Sequence, residues 1–262
     1  MTQVGWGRLA AITAADHSLC QVCSAWTPDV FCHACLQAWA PPRWRCLRCA
    51  IGLTPVHARH LQAARLAGLA SLALCADCRR APPAFDAAWA AVDYGPPWNR
   101  VISAFKFHAA PELARPLADL MLASRRADPA RPTGLAADLE APDLVLPVPL
   151  TDERWRERGY NQAWELARRL GPALGLPTRD DLIERLVGGA HQAELSGPAR
   201  HRQVRGAYAV PTGARAALAA RHVLLVDDVM TTGATLAECA AVLRRAGARR
   251  VTVWALARTP AD

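Results

Sequence analysis

The stretch HVLLVDDVMTTGATL, residues 222–236, leaves the chain few folding options. Its apolar run reads as a strand buried on both faces, which requires a parallel sheet covered by helices. The run stops at two adjacent carboxylates, Asp227 and Asp228, and passes through Thr231, Thr232, Gly233, Ala234 and Thr235 into the helical pattern TLAECAAVLRRAGA. A strand that turns through small residues into a helix presents free backbone N–H groups at the helix N-terminus, where a phosphate binds. Gly233 permits backbone angles closed to other residues, and the three threonines add hydroxyl donors. Carboxylates would repel a phosphate they touched. They must therefore face something attached to it, and the vicinal hydroxyls of a sugar are suitable donors for them. The stretch reads as a site for a ribose 5-phosphate. It is not a Walker loop, because the Gly-Lys-Ser/Thr ending is missing.

The surrounding segments alternate in the same manner. RRAPPAF (79–85) has the proline content of a boundary, and FDAAWAAVDY after it reads as a strand. PPWNRVISAFKF and PELARPLADLMLASRR read as helices with proline near their starts, where a missing N–H is harmless. ADPARPTGLAADLEAP is a surface linker, DLVLPVPL (143–150) a short buried strand and NQAWELARRLGPAL a helix. DLIERL, GAYAV and RRVTVWALA read as further strands. The fold class is thus α/β, a parallel sheet flanked by helices, and ligands of such sheets sit beyond the carboxyl ends of the strands. Cys239 falls on a helix among alanines and reads as core.

The front of the chain follows other rules. Eight of nine cysteines form four CxxC pairs, Cys20/Cys23, Cys32/Cys35, Cys46/Cys49 and Cys75/Cys78. Two intervening residues let one turn aim both sulfurs at a single ion, so eight thiolates suit two closed, structural Zn²⁺ sites. Pairing in sequence (20/23 with 32/35, 46/49 with 75/78) needs the shortest loops, and interleaved pairing stays open. Trp26, Trp39 and Trp44 lie between the ligands and are expected to form the module's small core, with stacking on single-stranded nucleic acid as the alternative.

The start, MTQVGWGRLAAITAADHS, is too short in apolar residues for a signal peptide, and no run approaches the roughly 18 residues that cross a bilayer. No membrane insertion and a cytoplasmic location are expected. The net charge of +8 favours an anionic partner, although Lys106 is the only lysine and an arginine-rich composition can arise from GC-rich coding.

The DDVMTTGAT motif resembles the phosphoribosyl pyrophosphate (PRPP) motif of type I phosphoribosyltransferases. LPVPLTDERWRERGYNQ (146–162), QAEL and ARHRQVRGAY (within 192–208), AFDAAWAAVDY and AFKF extend the likeness. Together they resemble the ComF family, amidophosphoribosyltransferase-like proteins linked to competence and DNA uptake. The resemblance implies a double zinc-ribbon module over 18–80 and a phosphoribosyltransferase-like domain over 84–262. It implies PRPP held with Mg²⁺ and phosphoribosyl transfer to an acceptor it does not identify. Partners it implies are PRPP, single-stranded DNA and DNA-uptake or recombination proteins; a DNA-uptake accessory without turnover is the alternative.

Residue by residue, the resemblance assigns Asp227 and Asp228 to the ribose hydroxyls and to the positive charge that builds on the sugar. Thr231, Thr232, Gly233, Ala234 and Thr235 take the 5-phosphate. Pro147, Val148, Pro149 and Leu150, with Arg154 and Arg158, form the pyrophosphate loop. Arg200 and Arg205, with Arg202, lie on a closing loop, and Arg200 and Arg205 are expected to take part in catalysis. Gln203 stands where the family pattern has Asn. Tyr160, Asn161 and Gln162 are in reach of the site, with a helix cap as the other role for Asn161, and Lys106 and His108 are candidates for the acceptor pocket.

Overall fold

The computed structural model describes residues 18–66, 74–129, 141–186 and 206–261. The cysteine-rich front begins with a small antiparallel pair, β1 (Ser18–Leu19) and β2 (Trp26–Thr27), and continues through α1 (His33–Trp39), α2 (Pro55–Leu66) and α3 (Ala76–Arg80). The body follows with β3 (Ala87–Asp93), α4 (Trp98–Phe107), α5 (Ala114–Arg126), β4 (Leu144–Pro147), α6 (Asp152–Arg158) and α7 (Gln162–Leu174). It ends with β5 (Glu184–Arg185), β6 (Tyr208–Ala209), α8 (Arg215–Leu218), β7 (His222–Met230), α9 (Ala234–Arg245) and β8 (Arg250–Arg258).

Four strands form one parallel sheet in the order β3-β8-β7-β4. The apolar run of β7 behaves as its sequence requires. Val223 and Leu225 enter a core with Leu236, Ala240 and Leu243 of α9, while Leu224 and Val226 enter a second core with Phe105, Leu117, Met121, Leu166 and Leu170. Successive side chains of a strand point to opposite faces, so an unbroken apolar strand places both helix layers. Cys239 is fully buried in the first core.

Helix signals are read correctly at several ends. Asn161 caps α7 by accepting from the N–H groups of Ala163 (2.9 Å) and Trp164 (3.3 Å), and Gly175 closes it in the left-handed region. Pro96 and Pro97 precede α4, and a 3₁₀ turn at Pro111–Leu113 precedes α5. Of the linker, residues 130–140 lie outside the described part of the chain.

Two expectations need correction. DLIERL and GAYAV do not join the main sheet: β5 and β6 are two residues each and pair antiparallel with one another, Glu184 opposite Ala209 and Arg185 opposite Tyr208. The outer edge of β4 is already taken, since Val145 N–H donates to Pro177 O (2.9 Å) and Arg179 N–H to Val145 O (3.0 Å). Secondly, Trp26 and Trp39 are not core residues, being 75% and 52% exposed, and Trp44 is half-buried. The module closes instead against the body, where the Phe31 and Trp98 rings pack in a T shape with centroids 5.3 Å apart and Val22, Val30 and Leu36 alongside.

Further contacts tie the module to the body. Ala50 is buried in the first core, Leu47 O accepts Ala88 N–H (3.0 Å), and Arg43 and Arg45 pair with Asp93 at 2.8 and 2.7 Å.

Candidate functional site

The ends of β4 and β7 open onto a cleft of about 400 Å³. Val148, Pro149 and Leu150 line one side with Arg154 and Arg158, and Asp227, Asp228 and Thr231 to Thr235 line the other. The structure thus brings together the described residues expected to hold ribose, 5-phosphate and pyrophosphate except Pro147, which borders the adjoining groove with Tyr160 and Trp164. Arg200, Arg202, Gln203 and Arg205 lie outside the described residues.

The turn after β7 has the geometry its residues imply. Gly233 adopts φ +80° and leads into α9, whose first N–H groups end at the cleft. A left-handed angle costs a residue with a Cβ roughly 1–2 kcal/mol, hence glycine. The Thr232 hydroxyl accepts the Ala234 N–H at 3.3 Å.

The opposite wall is held by side chains from the start of α7. Asn161 Nδ2 donates to Val148 O (3.0 Å), the Tyr160 hydroxyl donates to Phe105 O, and Gln162 Nε2 donates to Lys106 O at 3.5 Å. Tyr160, Asn161 and Gln162 therefore position the loop and the end of α4. On α6, Thr151 caps the helix and Gly159 ends it, so Arg154 and Arg158, four residues apart, share one face. The Arg158 guanidinium lies 4.9 Å over the Phe107 ring and donates to Gln162 Oε1 (3.1 Å), while its Nε is buried without a partner. Burial lowers its pKa, opposed by the Asp228 charge.

The two acids differ. Asp228 is buried and takes Lys106 Nζ on Oδ1 at 2.9 Å. Asp227 is half-buried, and its Oδ1 accepts the Asp228 N–H at 2.8 Å. Burial and then the Asp228 charge push the Asp227 carboxyl up to about 7, against the pull of Lys106. Lys106 thus belongs to the cleft, whereas His108 is exposed at the end of α4 and does not line it.

Arg185 and Tyr208 also line the cleft, and no sequence signal points to either. They face each other across β5 and β6, with the guanidinium 5.4 Å above the ring and Arg185 Nη1 donating to the Tyr208 hydroxyl (3.2 Å). Burial raises the Tyr208 pKa. Twenty-three residues of sequence separate them, and no periodicity connects the two.

The eight paired cysteines gather into two groups, Cys20/Cys23/Cys32/Cys35 and Cys46/Cys49/Cys75/Cys78, with all sulfurs in each group within 4.8 Å of one another. The pairing is sequential. Tetrahedral Zn–S bonds of about 2.3 Å separate sulfurs by about 3.8 Å, and Cys23–Cys32 and Cys49–Cys75 stand at 3.7 Å. Backbone N–H groups of Cys32 and Cys75 donate to the Cys20 and Cys46 sulfurs, both at 3.3 Å, which stabilises negative charge on those sulfurs. The Cys49 thiol holds Cys46 down at about 5, while burial and the Cys46 charge push Cys78 up to about 12. A second thiolate beside the first needs a cation, so both groups are suited to hold a metal ion.

Residues 157–262 match the family model of the phosphoribosyl transferase domain. The chain is 33% identical over 228 residues to the DNA utilization protein YhgH of Escherichia coli, a match that covers 87% of this chain and 90% of that protein. It is 34% identical over 184 residues to competence protein F of Haemophilus influenzae, covering 70% and 78%. The chain belongs to the ComF family. A solved structure similar to this ComF-family chain is the glutamine PRPP amidotransferase of B. subtilis complexed with ADP and GMP, at 20% identity and TM-score 0.36 over 58% of this chain and 30% of that one. The phosphoribosyl transferase match takes in α7, β5, β6, β7, α9 and β8, and with them Asp227, Asp228 and the turn.

Proposed function

We propose that this chain binds PRPP with Mg²⁺ in the cleft between α6 and the β7–α9 turn, and transfers the phosphoribosyl group to an acceptor nucleophile. One observation carries the reading: the left-handed turn at Gly233, the Asp227/Asp228 pair and the arginine pair Arg154/Arg158 line the same cleft. Backbone N–H groups of the turn hold the 5-phosphate, with Thr231, Thr232 and Thr235 as hydroxyl donors. Asp227 and Asp228 hold the ribose hydroxyls and face the positive charge that develops as the anomeric bond breaks. Arg154 and Arg158 hold the departing pyrophosphate, for which a planar guanidinium offers two parallel hydrogen bonds. The oxygen-rich walls, with the Asp227 and Asp228 carboxylates, suit Mg²⁺, a hard cation that takes oxygen ligands and that, when bound, would neutralise charge on the pyrophosphate. Arg200 and Arg205 are assigned to closure over the reacting centre, which excludes water.

In this reading residues 18–80 form a module stapled by two Zn²⁺ ions and residues 84–262 the transferase-like domain, and the protein acts in the cytoplasm. No helix among the described residues is long and apolar enough to cross a membrane. The names of the bacterial relatives support a role in DNA use or uptake. A second reading, a DNA-uptake accessory that binds PRPP without turnover, is favoured by the exposed Trp26 and Trp39 faces, which suit stacking of single-stranded bases.

Pyrophosphate release separates the two. Purified protein is incubated with PRPP, Mg²⁺ and a panel of bases, ammonia and single-stranded DNA. Acceptor-dependent release that disappears in Asp227→Asn and Asp228→Asn supports transfer. Saturable PRPP binding by calorimetry with no release from any acceptor supports the accessory role, and absence of PRPP binding refutes both.

A further inference from the structure

Lys106 is the only lysine among 31 Lys and Arg residues, and it lines the cleft. Wherever else this sequence uses a permanent cation it uses a guanidinium, so a side chain of different chemistry at this point calls for a reason. The geometry supplies one. The Lys106 and Asp228 side chains are 19% and 11% exposed, and the nearest contact between them is Nζ to Oδ1 at 2.9 Å. An ammonium is a compact point charge that engages one oxygen, whereas a guanidinium's fork occupies both oxygens of a carboxylate. Asp228 Oδ2 accepts no hydrogen bond from the described residues. The end of α4 is also held: Phe105 O accepts the Tyr160 hydroxyl, and Lys106 O accepts Gln162 Nε2, whose side-chain oxygen in turn takes Arg158 Nη1 at 3.1 Å. One chain of contacts therefore runs from an arginine assigned to pyrophosphate to an acid assigned to ribose.

We propose that Lys106 is a positioning residue for phosphoribosyl transfer: its ammonium fixes the Asp228 carboxylate by one oxygen, leaves the other for the sugar, and cancels one of two adjacent negative charges so that a polyanionic donor enters beside them. This rests on the PRPP reading given above. Two uncompensated carboxylates would repel both each other and the four or more negative charges of the donor, a repulsion that a half-enclosed cleft screens poorly. Lys106 is in fact among the charges that draw the Asp227 carboxyl downward.

The composition makes the test direct. Reductive ¹³C-methylation, which preserves the charge, labels one side-chain amine besides the terminal α-amine, which is recognised by its titration at about pH 8, so the lysine resonance is assigned without a variant. Titration with PRPP and Mg²⁺ is expected to shift that resonance saturably, with the Kd obtained by calorimetry. Lys106→Met is expected to weaken PRPP binding at least tenfold in the wild-type background and less than threefold in Asp228→Asn, because the acid it serves has lost its charge. Lys106→Arg is expected to recover only part of the loss. An unmoved resonance at saturating PRPP, or equal losses from Lys106→Met in both backgrounds, overturns the role. If the wild type binds no PRPP, the functional reading falls together with it. If the wild type binds normally and Lys106→Met binds within twofold of it, only the lysine's role falls. Thermal melts show whether the variants fold, and the labelled wild-type chain decides the matter if they do not.

Discussion

Substitution of Gly233 separates backbone strain from steric exclusion at the phosphate turn. A Cβ built at this position meets Met230 Sδ at 3.6 Å, Met230 Cγ at 3.8 Å and Phe85 Cζ at 3.9 Å, all ordinary van der Waals contacts. No side chain has to move, so the cost of Gly233→Ala is the cost of φ +80° for an L-residue. That is about 1–2 kcal/mol, less any relaxation of the turn, and for a domain of this size each kcal/mol lowers Tm by roughly 2–4 °C. The expected fall is therefore about 2–8 °C by scanning calorimetry. Asparagine tolerates the left-handed region better than alanine, so Gly233→Asn should retain part of the lost stability despite its larger side chain. PRPP affinity should follow the same order, wild type above Asn above Ala, because the N–H groups that grip the phosphate keep their aim only while the turn keeps its angle. A Gly233→Ala protein with unchanged Tm and PRPP affinity would refute the reasoning, and an Asn variant clearly worse than Ala would show that the residue is chosen for space instead of angle.

Other perturbations give equally definite outcomes. The Asp227 carboxyl is pushed up to about 7 from an ordinary 3.8, so the native state binds the extra proton between about pH 4 and 7 and loses stability as pH rises through that window; Asp227→Asn should be more stable than wild type at pH 8 and about equal to it at pH 4 in urea melts. Elemental analysis should find two zinc ions per chain, and Cys49→Ser should lower Tm further than Cys23→Ser, because Cys23 is exposed while Cys49 lies beside the fully buried Ala50 and binds Arg258 through its carbonyl. If single-stranded DNA stacks on the exposed indole of Trp26, Trp26→Ala should weaken salt-dependent binding of an oligonucleotide by fluorescence anisotropy and leave PRPP affinity unchanged.

How much of this was readable beforehand depends on the range of the interaction. The β7 strand, its acid pair, the Gly233 turn and the four CxxC pairs are local in sequence, and local rules of periodicity and turn chemistry identify them, whereas loop length favours the sequential cysteine grouping without deciding it. The positions of DLIERL and GAYAV depend on whether the edge of β4 is free, and Pro177 and Arg179 occupy it; nothing within either segment records that. Trp26 and Trp39 depart from the expected core for a related reason. A small module is expected to bury its own indoles, but this one buries Phe31 against Trp98 of the body and leaves them outside. Arg185 with Tyr208, and Lys106 with Asp228, are pairs joined only by folding, so neither could be read from spacing.

The last residue of β8 draws these parts into a single mechanical unit. The Arg258 guanidinium donates through Nε to Cys49 O (3.0 Å) in the Cys46–Cys49 turn and through Nη1 to Met230 O (3.2 Å) and to Thr231 O in the turn before α9. Excising residues 1–80 would thus strip a guanidinium of one of its acceptors, bare the Trp98 ring and alter the very bend meant to be measured. Dissection of this protein by truncation would report on damage, and the contributions of its front and rear halves have to be resolved by single side-chain replacements in the intact polypeptide.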